Sequence, residues 1–205
     1  MKVLLINGSP HEFGCTYTAL KEVANKLNEE DIQTEIYFLG NKPIQSCTAC
    51  GSCRNTKKCI FNDQVNEVID KASEVDGLII GSPVHYAAAS GMITAFMDRL
   101  FYASNAYSYK PGAAITVARR AGTVSAFDQL NKYFTINNMP IVSSQYWNMV
   151  FGNTPEEVLK DEEGMQIMQT LGLNMAWLLK SIEAGKKAGL QSPLVKKKAR
   201  TNFIR

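Results

Sequence analysis

The chain has 205 residues, 45% of them apolar and 20% charged, and a formal net charge of +3. That length suits one well-cored domain and the composition is ordinary for a globular protein, while the charge is too small to point to nucleic acid, which is not expected as a partner. The one dense basic run, Lys196-Lys197-Lys198-Ala199-Arg200, reads as a solvated tail, so the expected division is a domain of residues 1–190 and a tail of residues 191–205.

Lys2 to Asn7 is an aliphatic run suited to a strand covered on both faces. Its apolar part, Val3-Leu4-Leu5-Ile6, is too short for a signal-peptide core, and no stretch approaches the length of a membrane span. The expectation is a cytoplasmic protein without a membrane partner. Leu20, Val23, Ala24 and Leu27 then share one helical face, and Ile32 to Leu39 reads as a second strand. A cysteine-rich segment follows, then a helix over Asp63 to Ser73 with Asp63 as its cap. Gly77 to Gly81 is a buried strand closed by Ser82-Pro83, followed by a helix over Ser90 to Ser104. Pro111 to Ala118 supplies a strand, Val124 to Asn137 a helix and Ile141 to Phe151 a fifth strand. In the last helix, about Gly164 to Gly185, Met165, Met168, Leu171, Met175, Leu178 and Ile182 form a stripe better suited to a core than to a cofactor box, with a dimer face as the other reading.

Strand and helix in alternation give an α/β fold: a flavodoxin-like, doubly wound, five-stranded parallel sheet in the order 2-1-3-4-5, with helices on both faces. Ligands of such sheets bind beyond the carboxyl ends of the strands, which directs attention to three loops. The first, Asn7 to Thr18, lacks both the G-x-G-x-x-G and the P-loop patterns but sets Ser9, Thr16 and Thr18 around glycine just before a helix. Backbone N–H groups and hydroxyls there suit a phosphate, whereas the plain alternative is N-capping by Thr16. Cys15 reads as an inert thiol and His11 as a loop contact. The second loop, Gly81 to Gly91, combines small residues with Pro83, Val84, His85 and Tyr86 and suits a flat heteroaromatic ring; otherwise His85 and Tyr86 form a packing ridge. In the third, Arg119, Arg120 and Gly122 follow a strand end, where the arginines would face negative charge on a reduced flavin or the phosphate of a nicotinamide donor, or else form surface salt bridges.

Cys47, Cys50, Cys53 and Cys59 follow the spacing C-x2-C-x2-C-x5-C, with Cys15 the only other cysteine. Such density points to metal or redox chemistry, and the spacing favours a ferredoxin-type [4Fe–4S] loop over zinc. Structural zinc and an empty or redox-active thiol loop remain the alternatives. Arg54, Lys57 and Lys58, lying between the cysteines, would offset the charge of a cluster.

Together, Asn7-Gly8-Ser9-Pro10, Gly81-Ser82-Pro83-Val84-His85-Tyr86, Asp98-Arg99 and Arg119-Arg120-Ala121-Gly122 resemble the NADPH-dependent FMN reductase family, and the cysteine segment resembles its iron–sulfur flavoprotein branch. The resemblance implies FMN, with its phosphate near Ser9, Cys15, Thr16 and Thr18, its ring along Pro83 to Tyr86 and further contacts around Arg119 to Thr123. It also implies homodimers or homotetramers with flavin sites near subunit boundaries. Asp98-Arg99 is assigned to helix packing or a subunit contact. The chain departs from the family in having His11 where arginine is common, and Asn62-Asp63-Gln64 in place of Asp-Asp-Met. The function expected is FMN-dependent electron transfer from NAD(P)H or a ferredoxin-like donor to a small acceptor such as a flavin, a quinone or an oxygen species. A non-enzymatic flavin carrier or flavin-binding regulatory module without a cluster is the alternative.

Overall fold

Alternation along the strands sets the architecture. In the computed structural model, which describes residues 1–103, 106–194 and 201, strand β1 (Lys2–Asn7) sends Leu4 and Ile6 into one apolar cluster and Val3 and Leu5 into another. Strand β3 (Gly77–His85) divides likewise, with Leu78 and Ile80 on one face and Ile79 on the other. Period-two alternation of apolar side chains on both faces demands a sheet covered on both sides. Each buried Leu or Ile contributes about 1.5–3 kcal/mol.

The covers are helices. On one face lie α1 (Cys15–Glu29) and the long α7 (Glu162–Lys187), through Leu20, Val23, Leu27, Met168, Leu171 and Met175. A Cβ on Gly172 would lie 2.7 Å from Lys26 Cβ and 3.0 Å from Val23 O, so glycine there permits the close α1–α7 crossing. The methionine–leucine stripe of α7 is therefore core, while Leu173 and Trp177 look outward. On the other face lie α3 (Gln64–Glu74), α4 (Gly91–Ala103) and α5 (Thr123–Ile136). Asp63 caps α3 by accepting from Val65 N–H at 3.1 Å.

With β2 (Gln33–Phe38), β4 (Ala88–Ala89), β5 (Gly112–Ala118) and β6 (Met149–Phe151), the sheet has the order β2-β1-β3-β5-β6, and these neighbours pair in parallel. This is the expected doubly wound α/β arrangement, but the five-strand description needs correction. A sixth strand, β4, pairs antiparallel with the end of β3, so β3 does not close at Ser82-Pro83 but runs on to His85. The expected strand over Ile141 to Phe151 shrinks to β6. Ile141 forms only an isolated bridge to Gly112, and the Asn148 side chain donates to Val142 O at 3.3 Å in place of a regular ladder. Two short helices, α2 (Cys53–Thr56) and α6 (Pro155–Val158), complete the chain. Ser104 and the basic run at 196–200 lie outside the described residues. No described helix is long and apolar enough to cross a membrane.

Candidate functional site

β1 and β3 are neighbours from which the chain winds in opposite directions, so a crevice opens where their carboxyl ends part. The loops after β1, β3 and β5 are tied side by side there. Gly8 N–H donates to Gly81 O at 2.9 Å, and a Cβ on Gly8 would lie 2.9 Å from that same oxygen. Ser90 Oγ donates to Gly8 O at 3.2 Å, while Ser90 N–H donates to Ser82 Oγ at 3.1 Å. The two buried serines thus rivet the first loop to the second, a role that sequence reading passed over.

The first loop is folded by its own side chains. Asn7 Oδ1 accepts from Ser9 N–H at 3.1 Å, Asn7 Nδ2 donates to Glu12 O at 2.9 Å, and Ser9 Oγ accepts from His11 N–H at 3.1 Å. The N-cap of α1 is Gly14, which offers no side-chain bond, and the first turn carries no acidic residue. Thr16 therefore does not cap the helix. It lies buried inside the first turn, while Thr18 Oγ1 donates back to Gly14 O at 3.2 Å. The result is a positive helix end flanked by buried hydroxyls at Ser9 and Thr16, with His11 exposed at the rim. Burial raises the pKa of the Cys15 thiol, opposed in part by its backbone hydrogen bond and reinforced by Glu157 and Glu156. A neutral thiol is the form an anion would tolerate beside it.

The second loop is a hairpin. Val84 pairs with Ala89 and His85 with Ala88, leaving Tyr86 (φ 48°) and Ala87 (φ 62°) as a two-residue turn with both residues left-handed. This type I′ geometry normally selects Asn-Gly, and each non-glycine residue costs about 1–2 kcal/mol there. The third loop holds it in place. Ser125 Oγ donates to Ala87 O at 2.7 Å, and Gly122 (φ 90°) lies so close that a Cβ would fall 2.6 Å from Ala87 Cα. Pro83 and Val84 are half-buried at the base of the hairpin, whereas His85 and Tyr86 are exposed rather than packed on a neighbouring loop. Arg119 and Arg120 are exposed too, and neither joins an ion pair among the described residues. Ser9, Thr16, Pro83, Val84 and Gly122 are thus the more buried residues of these adjoining loops, a strand-end ledge on which His11, His85, Tyr86 and the two arginines are exposed. A cavity of about 560 Å³ opens at the other end of the sheet among Met1, Asp76, Lys110 and Pro111, away from these loops.

The four clustered cysteines line a separate cavity of about 130 Å³ with Ile60, Phe61, Arg99 and Tyr102. Ala49, Gly51 and Lys57 take left-handed conformations that wind the loop around it. Each sulfur has a polar neighbour: Ala49 N–H donates to Cys47 Sγ at 3.4 Å, Cys50 Sγ lies 3.6 Å from Ser52 Oγ, Cys53 Sγ donates to Tyr102 O at 3.4 Å, and Arg99 Nε donates to Cys59 Sγ at 3.1 Å. The Ser52 hydroxyl lowers the pKa of the exposed Cys50 thiol. Among the described residues, no three His, Cys, Asp or Glu side chains gather as a single metal ion requires. Asn66 pins the far end of the loop, accepting from Cys59 N–H at 2.8 Å and donating to Cys59 O and Phe61 O. Lys58 pairs outward with Asp70, and Lys57 donates to Arg54 O, so the cation bonded to a cysteine sulfur is Arg99 rather than one of the three cations within the loop.

The chain is similar to known proteins in sequence and in fold. The family model described as NADPH-dependent FMN reductase matches residues 1–154. An iron-sulfur flavoprotein of Methanocaldococcus jannaschii is 32% identical, the alignment covering 89% of this chain and 100% of that protein. Another, of Methanosarcina thermophila, is 26% identical over 89% of this chain and 97% of its own length. A flavodoxin from the domain Archaea superposes with a TM-score of 0.59 at 14% identity, covering 88% of this chain and 99% of the other, and shows the fold. The chain belongs to the NADPH-dependent FMN reductase family.

Proposed function

We propose that the chain is an FMN-dependent oxidoreductase that takes electrons from NAD(P)H or a ferredoxin-like donor and passes them to a small acceptor such as a flavin, a quinone or an oxygen species. The observation that carries this reading is the uncapped, acid-free start of α1 at the β1–β3 crevice, with buried Ser9 and Thr16 hydroxyls beside it. Such a helix end fits a phosphate without a basic side chain. In this reading Ser9, Cys15, Thr16 and Thr18 hold the phosphate, with His11 at its edge. Pro83, Val84, His85 and Tyr86 support the ring, and Arg119, Arg120 and Gly122 border it on the far side.

Bound FMN supplies hydride or single-electron chemistry. The chain's share is binding and electrostatics: the hairpin fixes where the ring lies, and the two arginines meet negative charge, on the ring or on a donor's phosphate. No side chain is assigned as a proton donor. The reading extends to a [4Fe–4S] cluster held by Cys47, Cys50, Cys53 and Cys59. The C-x2-C-x2-C-x5-C spacing, with all four cysteines bordering one cavity, supports this reading over structural zinc. Such a cluster supplies one-electron steps. A cytoplasmic homodimer or homotetramer completes the proposal.

Fluorescence titration of the apo-protein with FMN tests the core of it. Saturable quenching at about one FMN per chain is expected, and no binding contradicts it. Anaerobic reduction by NADPH with and without a reduced ferredoxin then separates direct hydride delivery from an obligatory single-electron relay.

A further inference from the structure

Arg99 sits on α4 among apolar neighbours, 1% exposed, and its side chain is entirely shielded from solvent. A guanidinium carries five N–H donors, and a buried one must place them all. Arg99 does. Nε donates to Cys59 Sγ at 3.1 Å, Nη1 to Asp63 Oδ2 at 2.7 Å and Gln45 O at 3.2 Å, and Nη2 to Asp63 Oδ1 at 2.7 Å and Phe61 O at 3.3 Å.

Gln45 precedes the first cysteine of the cluster and Phe61 and Asp63 follow the last, so one side chain draws together the two ends of the whole excursion. The Asp63 fork offsets much of the cost of burying the charge. The bond to Cys59 is additional: it points the guanidinium edge at a sulfur bordering the cysteine cavity, which Ile60, Phe61 and Tyr102 also line. A residue present only for packing would not need that orientation.

We propose that Arg99 is the positioning residue of the cysteine centre: it fixes the direction of Cys59 Sγ and, through its charge and its N–H···S bond, favours the reduced state of the cluster and slows the loss of iron. The inference rests on the cluster reading above. Cluster potentials respond to hydrogen bonds at sulfur and to local charge, and residues that orient ligands in this way typically change metal affinity by about 10–100-fold. Lysine keeps the charge but lacks the planar fork, so it cannot serve Cys59, Asp63 and both loop ends together.

The test compares wild type, Arg99→Lys and Arg99→Gln after anaerobic reconstitution with iron and sulfide. Iron and sulfide per chain are determined, with the midpoint potential followed by electron paramagnetic resonance in a dithionite titration, in which one electron enters the oxidised cluster. The half-time of iron loss to a ferrous chelator is measured alongside, and bound FMN reports whether each variant has folded. The expected result is a more negative potential in Arg99→Gln, iron loss faster by about tenfold, and unchanged FMN content, with Arg99→Lys recovering part of the potential but little of the retention. If Arg99→Lys loads cluster with wild-type potential and wild-type retention, the proposal is overturned while the cluster reading stands. If the wild type takes up no iron and sulfide, the cluster reading falls and the proposal falls with it.

Discussion

The strand-end ledge and the cysteine cavity are built in different ways. The ledge stands on parallel strands whose ends are riveted by Ser82, Ser90, Gly8 and Gly122, and its strain, at Tyr86 and Ala87, is held by neighbours fixed in the sheet. The cysteine loop leaves the sheet after β2 and is held instead at its neck by Arg99 and Asn66. The difference teaches that one site inherits its rigidity from the fold while the other depends on a few polar side chains. The two are therefore expected to fail independently.

The largest effect tests that independence directly. Cys50→Ser is expected to abolish iron binding while leaving bound FMN unchanged, as measured by iron analysis and flavin absorbance on the same sample. Loss of both together would break the comparison. The reverse cut is Gly122→Val. A side chain there must occupy a left-handed conformation and collide with Ala87, at a cost of about 3 kcal/mol. Urea unfolding should show the loss and FMN titration a weakened complex, with iron content per folded chain retained.

A smaller effect sharpens the role of strain. Replacing Tyr86-Ala87 by Asn-Gly supplies the residues that a type I′ turn favours and should stabilise the protein by about 1 kcal/mol. Slower turnover accompanying higher stability would mark Tyr86 as a contact for FMN or its partner. Unchanged turnover would mark the strain as incidental.

The smallest effect serves as a control remote from both sites. Hydrogen bonds from Lys2 and Lys71, at 2.6 and 2.8 Å, hold the Glu35 carboxyl below the usual range. A carboxylate whose folded pKa is depressed stabilises the protein above its unfolded pKa and loses that contribution as pH falls through the folded value. Glu35→Gln should therefore cost about 0.5–1 kcal/mol at neutral pH, solvent screening included, and progressively less in acid, with neither cofactor affected.

Much of the frame was legible because apolar periodicity is a local signal. The aliphatic runs of β1 and β3, the Asp63 cap and the stripe of α7 each announce themselves within a few residues. The β3–β4 hairpin did not, because Tyr86-Ala87 lacks turn chemistry and is held by Gly122 of the next loop and Ser125 at the start of α5. Ile141 to Phe151 looked like a continuous strand, but its ladder with β5 is confined to Met149–Phe151, with an isolated bridge at Ile141. Around the candidate sites, sequence identified the loops and the four cysteines, whereas the residues that hold them came from elsewhere. Arg99 left one trace, a charge between Phe96 and Leu100 on an inward helix face, but its partners stand 36 to 54 positions away. Long-range pairing of that kind leaves no periodic mark.

The most direct test of the proposal that the ledge and the cysteine cavity hold two separate redox groups is the composition of the anaerobically purified and reconstituted wild-type protein, read from its absorption spectrum with flavin, iron and sulfide determinations. About one FMN with about four iron and four sulfide per chain is the expected result. A chain that lacks either flavin or iron after reconstitution would contradict it.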